Sequence, residues 1–234
     1  MIASGHVETP RQTVDSPVPA TCLAAGAILH ERDGRTVVAS YGSTPSEIAV
    51  CMKSVGLADR SDLGVLELRA ETSLLDRALS ERLGDPGVAP GNARRLREVW
   101  FLRLDARRTL LVGPHRALAS GPAIGKRADR SELSCRDIGA GIAMVSVIGP
   151  RAARLVAAAG LPHELAVGAI GRDPGDASVL AVLREGQRRV LVLVRANAVD
   201  ALWARLLAAG EPLGAAFVGC DALALLGVAT LGAA

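Results

Sequence analysis

Along the chain, hydrophobic positions switch repeatedly between a two-residue and a three-to-four-residue period, and the switches mark out the elements. Leu63, Val65 and Glu67 alternate with Gly64, Leu66 and Leu68, which predicts a strand from Leu63 to Arg69. Leu74, Leu75, Ala78, Leu79 and Leu83 then fall on one face of a helix from Thr72 to Leu83. A Gly- and Pro-rich loop, GDPGVAPGNARR, leads to two short strands, Val99 to Leu104 and Thr109 to Gly113, folded back across Asp105 to Arg108. The order then repeats. A strand from Ile142 to Ile148 turns at Gly149-Pro150 into a helix from Arg151 to Ala159, stopped by Gly160. Strands Val179 to Leu183 and Val190 to Val194 pair across REGQRR, and a helix follows from Asn197 to Ala209. Asn197 is its expected cap, Val199, Leu202, Trp203, Leu206 and Leu207 its buried face, and Gly210 its end. Two β-α-β-β units in tandem predict an α+β fold, two ferredoxin-like halves around a shared core, with both tryptophans largely buried.

Ahead of the repeat, Ile48, Cys51, Met52 and Val55 form the stripe of a helix that begins near Glu47, and Gly56 ends it. The polar knot Asp59 to Asp62 is then expected at a helix-to-strand junction, where a pocket wall can be built.

Composition narrows the classes. With 234 residues, half of them hydrophobic, the chain is long enough to bury about 70% of its unfolded surface. Residues 1–20 read as a polar, proline-bearing flexible arm without the basic start and apolar core of an export signal, and residues 21–234 as a single domain. Apolar runs are interrupted, in the hydrophobic tail by Asp221, so no membrane span is expected. Cys22, Cys51, Cys135 and Cys220 lie far apart with no clamp spacing, which fits reduced thiols and a cytoplasmic location.

A formal charge of +3 spread over scattered arginine pairs, with two Trp, one Tyr and two Phe, argues against nucleic-acid binding. GPAIGKR, residues 121–127, has too short a spacing for a phosphate loop and reads as a connector. GAGIAM, residues 139–144, precedes a strand instead of following one, so it is no dinucleotide fingerprint. His6, His30, His115 and His163 lack partners at ligand spacing, and no metal site is expected. Asp59, Asp62 and Glu67 cluster as turn-forming or solvated carboxylates.

Three blocks carry a resemblance. VGLADRSDLG, residues 55–64, looks like the turn and strand that open the folate-binding domain of glycine-cleavage aminomethyltransferases. AMVSVIGPRAARLVAAAGL is similar to a strand, Gly-Pro turn and helix of the same family. VLVLVRANAVDALWARLLAAGEPLG, followed by GCDALAL, resembles the end of that domain. Together they span about Leu29 to Leu226. RLDARRTLLVG and the shortened pattern, without the family's C-terminal barrel, are similar to the gamma subunit of heterotetrameric sarcosine oxidases.

The resemblance implies tetrahydrofolate as cofactor and one-carbon or aminomethyl transfer as activity, in a cleft lined by Tyr41, Asp62, Glu98 and Trp100. Glu98 would be the catalytic carboxylate, with Arg103 or Arg97 meeting an anionic glutamyl tail. Two departures count against it. The family's tyrosine-bearing strand and paired aspartates give way to PGNARRLREVWFLRL, where only Glu98 keeps a carboxylate, and Leu191 stands where a glutamate holds the pterin. The alternative is a noncatalytic scaffold that has lost folate, its pocket filled by residues such as Trp100 and Leu191. Whether the chain is an enzyme is left open; if it is one, it is a transferase. The tail AAFVGCDALALLGVATLGAA predicts an exposed apolar patch and hence self-association or a larger redox or demethylating partner subunit.

Overall fold

The computed structural model describes residues 18–84, 87–119, 133–173 and 175–227. The segment GPAIGKR, His6, most of the N-terminal arm and the end of the apolar tail lie outside the described residues. The chain starts with α1 (Ala20–Ala24), the hairpin β1 (Ile28–Arg32) and β2 (Arg35–Ser40), then α2 (Thr44–Lys53) and β3 (Val55–Asp59). The first half is β4 (Leu63–Arg69), α3 (Thr72–Leu83), β5 (Asn92–Leu96), β6 (Val99–Asp105), β7 (Arg108–Pro114), α4 (His115–Ala119) and β8 (Ser134–Asp137). The second is β9 (Ile142–Ile148), α5 (Ala152–Ala158), β10 (Ile170–Gly171), β11 (Val179–Gly186), β12 (Arg189–Arg195) and α6 (Val199–Gly210). β13 (Ala215–Phe217) and α7 (Cys220–Leu225) follow.

Two large sheets result, ordered β5-β6-β7-β4-β8 and β10-β11-β12-β9-β3-β13. In each half the first strand pairs antiparallel with the strand that closes the hairpin, β4 with β7 and β9 with β12, as the ferredoxin-like reading requires. Among the described strand pairs only β13 with β3 is parallel. The sheets face each other: Val65, Leu102, Leu104, Leu110 and Val112 of one pack against Met144, Ala181, Leu183, Leu191 and Leu193 of the other. The outer face of the five-stranded sheet packs on α3 through Leu68, Leu75, Leu79, Phe101 and Leu111. Val145, Val147, Val192 and Val194 do the same beneath α5 and α6, with Trp203 fully buried. The α+β class and the shared core are as the periodicity predicted, because each amphipathic helix has one sheet face on which to bury its stripe.

The halves are linked by exchange. β3 belongs to the second half's sheet, pairing with β9 from Gly56↔Ile148 to Asp59↔Val145, and β4 begins the other sheet. Val55 to Asp59 is therefore a central strand with all five residues buried, not the hinge after a helix. Gly56 does not cap α2; a Cβ there would lie 2.6 Å from Cys51 Sγ, so glycine lets the helix lie close on the strand. The expected stripe of α2 is also corrected. Met52 is 63% exposed, and the helix turns Cys51 and the carboxylate of Glu47 inward. Glu47 accepts the backbone N–H of Tyr41 and of Gly219, each at 2.7 Å, and fastens α2 to β2 and α7. Asn197 sits in a 3-10 turn, and Ala198 starts α6 with no side-chain cap. Within the described tail Val218, Cys220, Ala222 and Leu223 are buried and Leu225 is exposed, so most of this apolar run packs on the domain itself. Of the tryptophans, Trp100 is only half-buried, stacked under the Arg95 guanidinium at 5.9 Å.

An internal repeat shows in the two hairpins. RLDARR of the first half and REGQRR of the second place an arginine at the same point, and each side chain folds over its own turn. Arg103 Nε donates to Asp105 O at 2.8 Å, and Nη2 donates to Ala106 O. Arg184 Nε donates to Gly186 O at 2.8 Å and Nη2 to Gln187 O at 2.6 Å. The guanidinium fork satisfies turn carbonyls that the ladder leaves unpaired.

Candidate functional site

The crossover from β3 to β4 carries the densest buried polar cluster among the described residues. Asp59 is 5%, Arg60 2% and Ser61 8% exposed. Arg60 forks onto Asp62, Nε to Oδ1 at 2.7 Å and Nη2 to Oδ2 at 2.9 Å. Its Nη1 donates to Ser146 Oγ of β9 at 3.2 Å, and its backbone N–H donates to Met144 O at 3.0 Å. Burial opposes the guanidinium charge, but the Asp62 carboxylate more than offsets it, and the net direction of the Arg60 pKa is up. Arg60 stays charged.

Glu185 of β11 occupies the repeat position of Leu104, which faces the gap between the sheets. It lies within electrostatic reach of Arg60, and its Oε2 is buried without a hydrogen-bond partner. His115 of α4 closes the cluster from the five-stranded sheet. Its ring packs so tightly on β4 that a Cβ at Gly64 would lie 2.6 Å from Nδ1. Burial lowers the His115 pKa, and Arg35 pushes it the same way, so the ring is neutral at physiological pH.

Asp59 titrates differently from an ordinary aspartate. Burial raises its pKa to about 6 against the opposing hydrogen bonds from Ser61, whose N–H lies 3.1 Å from Oδ2. The folded state therefore holds the Asp59 proton more tightly than the unfolded chain does. Its stabilising contribution is present below the ordinary value of 3.8 and is lost as pH rises through about 6. Asp59→Asn, which keeps the acceptor but not the charge, is expected to gain on the order of 3 kcal/mol over wild type between pH 3.5 and 7.5. Urea unfolding of both proteins across that range reads the difference; a gap that does not widen with pH would show that folding leaves the Asp59 proton affinity unchanged.

The residues expected from the sequence divide into two groups. Asp62, Glu98 and Trp100 come to one end of the five-stranded sheet: Leu63 pairs with Pro114, Gly64 with Gly113, and Glu98 O lies 2.9 Å from the Cβ position of Gly113. There Glu98 is bound at 3.0 Å by Arg116, the residue after His115. Arg97 sits at the β5–β6 turn with a positive φ of 53°. Trp100 packs at the edge of the inter-sheet core.

Tyr41 and Arg103 lie elsewhere. Tyr41 rests on Phe217, ring centroids 5.1 Å apart, with its phenol beside the Cys22 thiol, which burial pushes up to about 12. Arg103 is 1% exposed at the far end of β6, committed to its own turn and to Asp76 at 2.9 Å. Asp76 approaches at ion-pair distance but not at a hydrogen-bonding angle, since Nη1 has no hydrogen-bond partner. Sequence reasoning placed Arg60 in the polar knot without giving it a role, and missed Ser146 and Glu185. The available signals were Ser146 inside the apolar run AMVSVI and Glu185 where the other half has Leu104.

No family model matches the sequence, and no curated protein does. Solved structures share its fold. The glycine cleavage system aminomethyltransferase T of Bartonella henselae superposes with a TM-score of 0.72 at 21% identity, over 86% of this chain and 58% of that one. A chain of the heterotetrameric sarcosine oxidase of Corynebacterium sp. U-96 superposes with a TM-score of 0.54 at 19% identity, over 74% of this chain and 93% of that one. The fold is thus of the aminomethyltransferase folate-binding type, and the chain spans 58% of the length of the aminomethyltransferase it matches.

Whether tetrahydrofolate fits turns on the residue at the pterin position. Leu191, which the resemblance aligns with the pterin-holding glutamate, is 0% exposed, paired with Ser146 on β9 and Leu183 on β11, and packed among Leu183, Leu193 and Met144. The leucine side chain itself offers no acceptor for a pterin N–H, and each donor buried unpaired against it would cost about 1–3 kcal/mol. The pterin does not fit this position. Among the described residues no group of three His, Cys, Asp or Glu could hold a metal ion.

Proposed function

We propose that this chain is a small noncatalytic subunit of a larger amine-oxidising or demethylating assembly, in which an aminomethyltransferase-type fold serves as scaffold. The observation that carries this is Leu191, fully buried in the core between the sheets where the fold's folate chemistry would need an acceptor. Two facts agree with it. Arg60, the strongest buried cation near that position, is consumed by Asp62. The likeness to a sarcosine oxidase chain extends over 93% of that chain, so a protein of similar extent works inside a heterotetramer. Four free thiols, three of them buried, fit a reducing cytoplasm, and no described helix is long and apolar enough to cross a membrane.

Affinity purification from the native host tests the assembly. A larger flavin- or nicotinamide-dependent chain is expected at fixed stoichiometry, retained through gel filtration. A chain recovered strictly alone and monomeric would contradict the subunit reading.

A further inference from the structure

A cleft of about 760 Å³ lies on the other side of the first half, between the end of β4, the start of α3 and the β6–β7 turn. Arg69, Arg77, Arg107 and Arg108 line it, with Glu71 and Asp105 as counter-charges. Arg69 and Arg108 stand directly opposite each other on paired strands, an arrangement that like charge disfavours. Glu67 bridges them from below, accepting from Arg69 Nε at 2.8 Å and Nη2 at 3.2 Å and from Arg108 Nε at 2.6 Å, which holds both guanidiniums at the floor of the cleft.

The other two guanidiniums are loosely engaged. Arg107 meets only the exposed Glu71 side chain at 3.0 Å, and Arg77 makes no hydrogen bond or ion pair among the described residues. The internal repeat supplies a comparison, because the second half has Ile148 paired with Arg189 where the first has Arg69 paired with Arg108. The fold does not dictate this arginine set.

We propose that the cleft is a binding site for a small polyanion carrying phosphate or several carboxylates, held by the forks of Arg77 and Arg107 above the Arg69–Glu67–Arg108 bridge. Arginine forks match phosphate and carboxylate oxygens in pairs, and the volume lies in the range of small-molecule sites. Incoming oxygens displace the exposed Glu71 carboxylate from Arg107. The site is separate from the β3–β4 cluster, so it stands or falls independently of the scaffold reading.

Calorimetric titration with pyrophosphate and, in parallel, citrate at low ionic strength is the test. Binding is expected to saturate, to weaken with added salt, and to fall about tenfold or more in Arg77→Ala/Arg107→Ala, both exposed positions whose loss leaves the fold intact. The ratio of the two affinities identifies phosphate or carboxylate as the preferred chemistry. Absence of saturable heat with either anion would overturn the proposal. So would unchanged affinity in the double variant, or an equal loss in the distant pair Arg188→Ala/Arg189→Ala.

Discussion

Asp62→Ala is expected to destabilise the fold by about 3–5 kcal/mol, the cost of leaving a buried guanidinium without its carboxylate. Arg60 has a side chain 3% exposed and Asp62 one 13% exposed, so water cannot replace the lost partner. The neutral Ser146 hydroxyl at 3.2 Å and the more distant carboxyl groups of Glu185 and Asp59 would remain, none of them forked onto the guanidinium. The cluster sits where the chain leaves the six-stranded sheet and starts the five-stranded one, and Arg60 ties that crossover to β9. Its work on the scaffold reading is to fix how the two halves meet. Arg60→Met/Asp62→Leu, which removes both charges together, is expected to recover most of the loss. Urea unfolding of the three proteins checks this, and a single-variant loss below about 1 kcal/mol would show the pair to be hydrated and free for ligand.

Arg103→Ala should cost about 2–4 kcal/mol, and Arg184→Ala about 1 kcal/mol, although the two arginines close their hairpins with the same pair of bonds. The difference lies in burial. Arg103 is 1% exposed and also meets Asp76, whereas Arg184 is half-buried and water can reach the carbonyls it would abandon. Lysine cannot span two carbonyls with one fork, so Arg103→Lys is expected to recover little. Thermal and urea unfolding of the single variants decide it. Equal losses at both sites would mean that the clasp, and not its desolvation, sets the energy.

The halves from Leu63 onward were legible because their strands and helices each bury one face, and α3 runs from Thr72 to Leu83 as its stripe predicts. β3 was not. A central strand covered on both faces shows no alternation, and VGLAD follows α2 after a single residue, so in the sequence the helical spacing of apolar residues runs on into it. β5, NARRL, and β8, SCRD, are edge strands whose polar side chains face outward and resemble loops. Within the candidate site Asp62 was legible as part of a polar knot, but its partners were not: Ser146 lies 86 residues from Arg60, and only the pairing of β3 with β9 brings them together. Tyr41, Glu98 and Arg103 came from family resemblance, and the ladder distributes them over separate parts of the fold.

The scaffold reading is tested most directly by calorimetric titration of the purified chain with tetrahydrofolate and its 5-formyl derivative, beside Leu191→Glu and Glu98→Gln. With Leu191 filling the inter-sheet core, no saturable heat is expected from wild type up to about millimolar folate, since two unpaired pterin donors alone remove several kcal/mol of binding free energy. Micromolar binding by wild type that is abolished in Glu98→Gln would contradict the account and restore the chain to folate chemistry.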